Sequence, residues 1–308
     1  GLDRKAIVHF PPSHKGEKMP LVVDLHALAC NQAEEAAMTD FRSLADKEGF
    51  AVVNPEGYDI GQPLSIPGLG PLPWGVPGGR SWNAGACCPK ANTHQPPRQD
   101  VQFIRDLIAH LLSEYKIDET RIYATGMSNG GFFTNRLACE ARDLFAAVAP
   151  VAGVLANNTS TFFGGGEDYP CPHHDPPLPA LTFHGTWDPL VPWLGNPLLG
   201  FPSIPEHVNR LMRLNGLDPD KDRGTTSYKH ENVECTSHGA LESNVTLCKI
   251  DGGGHSWPGA HDPVFCELQK LTPGIFCSTH IDATVQIWEF FKRYTLKKRG
   301  TVSIDMVV

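Results

Sequence analysis

The sequence predicts an α/β fold, a mostly parallel central sheet with helices on both faces. Three observations lead there. Short apolar runs alternate with amphipathic stretches of helical length along most of the chain. The runs are nearly continuous, as in Leu21-Val22-Val23-Asp24-Leu25, and strands buried on both faces read this way. The chain has 308 residues, 41% of them hydrophobic, enough for one sizeable core. Neither an internal repeat nor a linker divides it, so one domain is expected over residues 1–308.

In order, residues 21–25 read as a buried strand, 32–48 as a helix stopped by Gly49, and 50–53 as the next strand. Residues 55–97 are rich in Pro and Gly and lack periodicity. A loop of that length in a compact domain is usually functional, and Trp74 and Trp82 within it favour that reading. Asp100 is expected to cap a helix over 101–115. Residues 121–125 form a strand, 130–140 a helix, and 146–151 and 180–184 two more strands. A helix over 206–215 ends at Gly216. Residues 228–235 and 245–250 read as paired strands, and 281–294 as the last helix.

The formal net charge is -8. An acidic balance disfavours nucleic acid as a partner, because such binding rests on Lys and Arg at phosphates. The one basic run, Lys297-Lys298-Arg299, reads as a solvated helix end. No apolar stretch has the length of a membrane span. Gly1-Leu2-Asp3-Arg4 begins directly in polar sequence, as a mature secreted chain or a cytosolic one would. Nine scattered cysteines favour an oxidising compartment, and so secretion. Because nine is odd, at least one is free or pairs between chains. Sequons at Asn157, Asn158 and Asn244 matter only in a eukaryotic secretory pathway.

Gly126-Met127-Ser128-Asn129-Gly130 matches the nucleophile-elbow pattern G-x-S-x-G. A predicted strand precedes it and a predicted helix follows, which is the setting the motif requires in the α/β-hydrolase fold. The glycines relieve crowding around a serine on a sharp, strained turn. A serine hydroxyl needs a base to take its proton. Among 14 histidines the candidate is His255, in the Gly-rich turn Gly252-Gly253-Gly254-His255-Ser256-Trp257-Pro258-Gly259 after a predicted strand. The acid should lie between nucleophile and base in the chain, and Asp188, in His184-Gly185-Thr186-Trp187-Asp188-Pro189, meets that condition. Asp168 and Asp175 sit in an irregular loop, and Asp251 is too near His255 in sequence. His184 is expected to order the turn. The oxyanion hole needs two backbone N–H groups: Asn129 should supply one and Leu28 the other, with Ala27 as second choice.

The segments at 126–131, 145–151, 184–192 and 253–259 resemble poly(3-hydroxybutyrate)-depolymerase-type esterases, a group that feruloyl and acetylxylan esterases also resemble. Ser81-Trp82-Asn83-Ala84-Gly85-Ala86-Cys87-Cys88 fits a segment typical of it. The resemblance covers most of residues 21–294 and implies a secreted, metal-independent serine esterase with no cofactor. Two departures stand out. His26-Ala27 replaces the usual His-Gly after the first core strand, and the loop at 57–80 is long.

Trp82, Trp187 and Trp257 fall in or beside the motif loops. If they converge, they form an aromatic binding surface for substrate; each alone is equally well read as loop packing. Cys87 and Cys88 either bond to each other or to separate partners. Cys235 is expected to bridge Cys248 across paired strands, and Cys139 with Cys171 is a weaker expectation. Cys171-Pro172-His173-His174-Asp175 is too tight and proline-broken to wrap a metal ion, so a polar loop is expected there. The leading expectation is an esterase for feruloyl-type (hydroxycinnamoyl) or other small acyl esters. The alternatives are a short-chain polyester depolymerase, a non-catalytic binding protein on the same fold, and a serine peptidase.

Overall fold

The computed structural model describes residues 3–59, 65–66, 70–71, 79–88, 99–156, 169–260 and 277–296. Trp74, Asp168, Asn157, Asn158 and Lys297-Lys298-Arg299 lie outside them. Nine strands make one sheet: β1 (Ala6–His9), β2 (Met19–Leu25), β3 (Ala51–Pro55), β4 (Ile117–Met127), β5 (Ala147–Val151), β6 (Ala180–Gly185), β7 (Thr225–His230), β8 (Val233–His238) and β9 (Val245–Ile250). Their spatial order is β1-β3-β2-β4-β5-β6-β9-β8-β7. The six strands from β3 to β9 in that order run parallel, and antiparallel strands flank them at both ends. Among the described residues six α-helices accompany them: α1 (Gln32–Thr39), α2 (Phe41–Glu48), α3 (Asp100–Glu114), α4 (Asn129–Glu140), α5 (Ile204–Leu214) and α6 (Ala283–Phe291).

The central strands are apolar on both alternations because helices cover both faces. One buried cluster gathers α3, α4 and α5 residues such as Ile104, Phe133 and Leu211; the other gathers α2 and α6 residues such as Phe41 and Ile287. Leu21 and Leu25 of β2 belong to the first, and Val22 to the second. This is the period-two alternation of a strand with two dry faces.

Several elements depart from the sequence reading. The helix expected over 32–48 is two helices, broken at Asp40, which takes a left-handed φ of 49°. Asn31 caps α1 with a reciprocal box to Glu34. Residues 228–235 are a hairpin that turns at Glu231 rather than one strand, and β8 is the strand that pairs with β9. Asp100 does not cap α3; its carboxylate binds Arg4 at 2.9 Å and the Asn83 amide at 2.8 Å. Within the long Pro/Gly-rich segment, Tyr58–Asp59 pairs with Arg80–Ser81 and so brings Trp82 to the core.

Cys87 bonds to Cys88, Cys139 to Cys171 and Cys235 to Cys248, the last pair standing directly opposite in the β8–β9 register. Cys277 is also disulfide-bonded, and Cys30 is a free thiol. Asn244 is buried, its amide donating to the His238 carbonyl and its Oδ1 accepting from Thr246. No helix among the described residues is long and apolar enough to cross a membrane.

Candidate active site

The carboxyl ends of β2, β4, β6 and β9 carry every residue singled out for chemistry, as is usual for parallel α/β sheets. Ser128 is the single residue between β4 and α4. Its φ of 54° and ψ of -117° are costly for a residue with a Cβ. Two backbone bonds hold it there: its N–H donates to the Val151 carbonyl, and its carbonyl accepts from Phe132, both at 2.8 Å. The elbow glycines are needed because the turn is wedged against the end of β2. A Cβ on Gly126 would lie 2.4 Å from the Leu25 carbonyl oxygen, and one on Gly130 only 1.9 Å from it. The Ser128 side chain is half-buried, at the amino end of α4, where helix N–H groups favour developing negative charge.

Asp188 and His255 meet although 67 residues separate them: His255 Nδ1 lies 2.7 Å from Asp188 Oδ2. Their loops are joined backbone to backbone. Trp187 N–H donates to the Gly253 carbonyl at 2.9 Å, and a Cβ on Gly185 would come within 2.2 Å of that same oxygen. The other carboxylate oxygen of Asp188 accepts the Leu190 and Val191 amides at 2.9 and 2.8 Å. Burial works to raise the Asp188 pKa, but the charge and hydrogen bond of His255, His184 and the Val191 amide outweigh it and hold the carboxyl below its ordinary value. An ionised Asp188 keeps the His255 proton on Nδ1 and leaves Nε2 as the basic nitrogen.

His184 donates from Nε2 to the Val191 carbonyl at 2.8 Å, with Asp188 Oδ2 at 3.5 Å, and so braces the acid loop. Burial lowers its pKa. Asp251 instead accepts from Thr186 Oγ1, and Asp175 offers its backbone carbonyl to Arg142. His174 is buried against Asn215. Among the described residues no group of three His, Cys, Asp or Glu side chains is arranged to hold a metal ion.

The loop after β2 presents three successive amides. Ala27 N–H donates to Glu35 Oε2 at 3.2 Å, and Ala29 N–H to the Arg80 carbonyl at 2.8 Å. Leu28 N–H, between them, has no acceptor among the described residues. Ala27 is thereby removed as an oxyanion donor. The Asn129 backbone N–H is the first of α4 and has no partner within the helix.

The three tryptophans do not converge. Trp82 is fully buried, stacked on Phe133 at 5.0 Å, with Nε1 donating to the His26 carbonyl. Trp257 is fully buried in the other cluster, edge-on to Phe41, with Nε1 donating to Thr284. The expectation that Trp82 and Trp257 touch substrate is therefore corrected. Nearness in sequence to a catalytic residue does not direct a side chain outward, and a core position that also satisfies the indole N–H suits so large a ring. Trp187, 65% exposed beside Asp188, is the one of the three on the surface.

The sequence reading missed two buried side chains that tie the site together. Asn129 accepts from Trp82 N–H at 2.7 Å and donates to the Trp82 carbonyl at 3.0 Å, so the Trp82 segment is clamped to the elbow. Glu35 holds the loop after β2. Neither carries a periodic or spacing signal.

The fold and these loops define an α/β-hydrolase. The prolyl oligopeptidase family matches residues 90–166, the stretch around the elbow. Feruloyl esterase B of Piromyces equi is 31% identical over 264 residues, 82% of this chain and 42% of that protein. Poly(3-hydroxyalkanoate) depolymerase C of Paucimonas lemoignei is 28% identical over 294 residues, 91% of this chain and 65% of that protein. This chain thus spans less than two thirds of the length of either relative. An acetyl xylan esterase structure from Aspergillus awamori shares the fold, with a TM-score of 0.61 over 94% of this chain and 93% of that one at 16% identity. Over most of its length the chain is thus similar to feruloyl and acetylxylan esterases and to a poly(3-hydroxyalkanoate) depolymerase.

Proposed function

We propose that the protein is a secreted serine esterase in which Ser128 attacks the ester carbonyl, His255 takes the serine proton and Asp188 orients the imidazole. The amides of Asn129 and Leu28 receive the oxyanion. The observations that carry this reading are a buried, ionised Asp188 bonded to His255, and a serine held at positive φ on a strand-to-helix turn at the same, carboxyl, end of the sheet. In the reaction Nε2 of His255 takes the Oγ proton as the C–O bond forms, then returns it to the leaving alcohol; water repeats the cycle on the acyl-enzyme. Three disulfides among the described residues support an oxidising compartment.

The preferred substrates are feruloyl-type or other small acyl esters on polysaccharide, a reading that rests on the named relatives. A second reading, cleavage of short-chain polyester, draws on the depolymerase relative and on Trp187, Leu194 and Leu198, large apolar side chains left exposed between residues 187 and 198. The match to a peptidase family falls on the elbow strand and helix and supports the fold rather than amide cleavage.

Methyl ferulate, a comparable alkyl ester, a hydroxybutyrate oligomer and a peptide should be compared on the purified protein, with Ser128→Ala as the blank. Methyl ferulate is expected to give the highest kcat/KM, and Ser128→Ala to lose on the order of 10⁴-fold while staying folded. Near-normal turnover by the variant would refute the nucleophile. Faster oligomer cleavage would decide for the polyester reading.

A further inference from the structure

Behind the loop after β2 lie two buried carboxyl groups that the triad does not use. Asp24, on β2, accepts from Thr39 Oγ1 at 2.7 Å and Asn54 Nδ2 at 2.8 Å, both on Oδ2. Glu35, on α1, takes the Ala27 amide on Oε2, and the Met127 amide lies near enough to stabilise its charge. The remaining oxygens, Asp24 Oδ1 and Glu35 Oε1, are buried without a hydrogen-bond partner among the described residues. Burial pushes the Asp24 carboxyl up to about 7 against the hydrogen bonds from Thr39 and Asn54 and the charge of Arg42. Burial first, then the charges of Asp24 and Glu34, push Glu35 well above the usual carboxylate range. Two full charges side by side in this dry site are costly, and one proton held by the pair removes the conflict.

The pair also sits in a chain of hydrogen bonds. Trp257, from the His255 loop, donates to Thr284 Oγ1 at 3.0 Å, and Thr284 donates to the Thr39 carbonyl. Thr39 Oγ1 in turn meets Asp24, whose charge acts on Glu35. Glu35 therefore stands between the base loop and the two backbone segments that flank the oxyanion donors: Ala27 precedes Leu28, and Met127 precedes Ser128 and Asn129.

We infer that Glu35 is a positioning residue for the oxyanion hole, its carboxyl holding the Ala27 amide inward so that the Leu28 amide faces the reacting carbonyl. The Ala27 amide is held by a side-chain acceptor from another element, while the next amide, that of Leu28, is left without an acceptor among the described residues. The inference rests on the esterase reading above.

Glu35→Gln keeps an acceptor for Ala27 and offers Asp24 a donor, as a protonated carboxyl does. Glu35→Met keeps length and apolar volume but no strong acceptor. Each should be assayed for p-nitrophenyl acetate hydrolysis per site labelled by a fluorophosphonate, with thermal unfolding measured in parallel. A boronic acid, which mimics the tetrahedral oxyanion, serves as the second probe. Expected is a fall in kcat on the order of 10- to 100-fold for Glu35→Met with KM within about threefold, an equal loss of boronate affinity, and recovery to within about threefold in Glu35→Gln. Unchanged kcat per labelled site in Glu35→Met, or lost kcat with unchanged boronate affinity, overturns the inference. If Glu35→Met does not fold, Glu35→Gln is set against Glu35→Asp, whose carboxyl falls one methylene short of Ala27. Gln must then be the more active, and the reverse order overturns the inference. Wild type that neither hydrolyses the ester nor labels at Ser128 fails the esterase reading instead.

Discussion

The two halves of the site are held by different means. The proposed acid–base half, at the ends of β6 and β9, is joined backbone to backbone: Trp187 N–H on the Gly253 carbonyl, and Gly185 packed against the same oxygen. The proposed nucleophile–oxyanion half, at the ends of β2 and β4, also has a tight glycine contact, but buried side chains hold its outer segments. Asn129 grips Trp82, Glu35 grips Ala27, and His26 takes the Gly57 amide on Nε2 at 2.8 Å. A backbone contact tolerates only glycine and answers a substitution with a clash. A side-chain contact answers with an orphaned amide, a smaller and more graded loss.

The largest effect should follow from striking the backbone-held half. Gly185→Ala places a methyl group 2.2 Å from the Gly253 oxygen and must push apart the loops that carry Asp188 and His255. We expect kcat/KM to fall about 100-fold or more, since a displacement near 1 Å at reacting groups costs that much. Steady-state kinetics on labelled sites measures it, and a loss under threefold would mean the loops are not held there.

Asn129→Ala tests the other half at intermediate size. The backbone N–H of residue 129 stays, but the Trp82 N–H and carbonyl lose their partner in the core. Destabilisation of about 1–3 kcal/mol is expected by urea unfolding, with a kcat loss nearer tenfold. Unchanged stability would mean the Trp82 segment is held from elsewhere.

The smallest effect is that of pH. Burial lowers His26 and His174 to about 4 and His207 to about 3, from an ordinary 6.5. A depressed folded-state histidine contributes stability that is complete above 6.5 and is lost as pH falls toward the folded value. Asp24 and Glu35, raised from 3.8 and 4.5, act in the opposite sense and regain stability as pH falls. Above pH 5.5 the two sets oppose each other. Below it the three histidines, joined by His184, outweigh the two carboxyls, and stability should drop by about 1–2 kcal/mol between pH 5.5 and 4.5. In the fold His26 Nε2 and His207 Nδ1 stay unprotonated across that range and go on accepting the Gly57 and Leu155 amides, so the loss arises as the unfolded chain takes up protons. Calorimetric melting across that range checks the sign; a midpoint that rises on acidification would refute it.

The same contrast explains what was legible in the sequence. Gly126, Gly130, Gly185 and Gly253 stand where chains touch, so the backbone-held features announce themselves as glycine motifs after apolar runs. That pattern, with the chain order nucleophile, acid, base, is what singles out Ser128, Asp188 and His255. The alternation of strands and helices was readable because both faces of the sheet are dry. What stayed hidden depends on side-chain direction. Trp82 and Trp257 sit beside motif residues yet point into opposite cores, and no one-dimensional pattern separates that from pointing into a cleft. Glu35 and Asp100 look like ordinary first-turn helix acids, and only the fold shows that they bind the backbone of distant loops. The break at Asp40 eluded periodicity because both short helices keep apolar residues at helical spacing across it.

The last strand of the sheet has a practical consequence. β7 is polar and mostly exposed, its register with β8 slips between Thr226 and Tyr228, and Lys229 points outward. An interrupted rim carrying a charge is a poor template for a second molecule. It is also separated by β8 from β9, the strand that leads into the His255 loop. Lys229 is therefore a suitable handle for anchoring the protein to a bead or fibre, since attachment there falls at the edge of the sheet remote from the ends of β2 and β4.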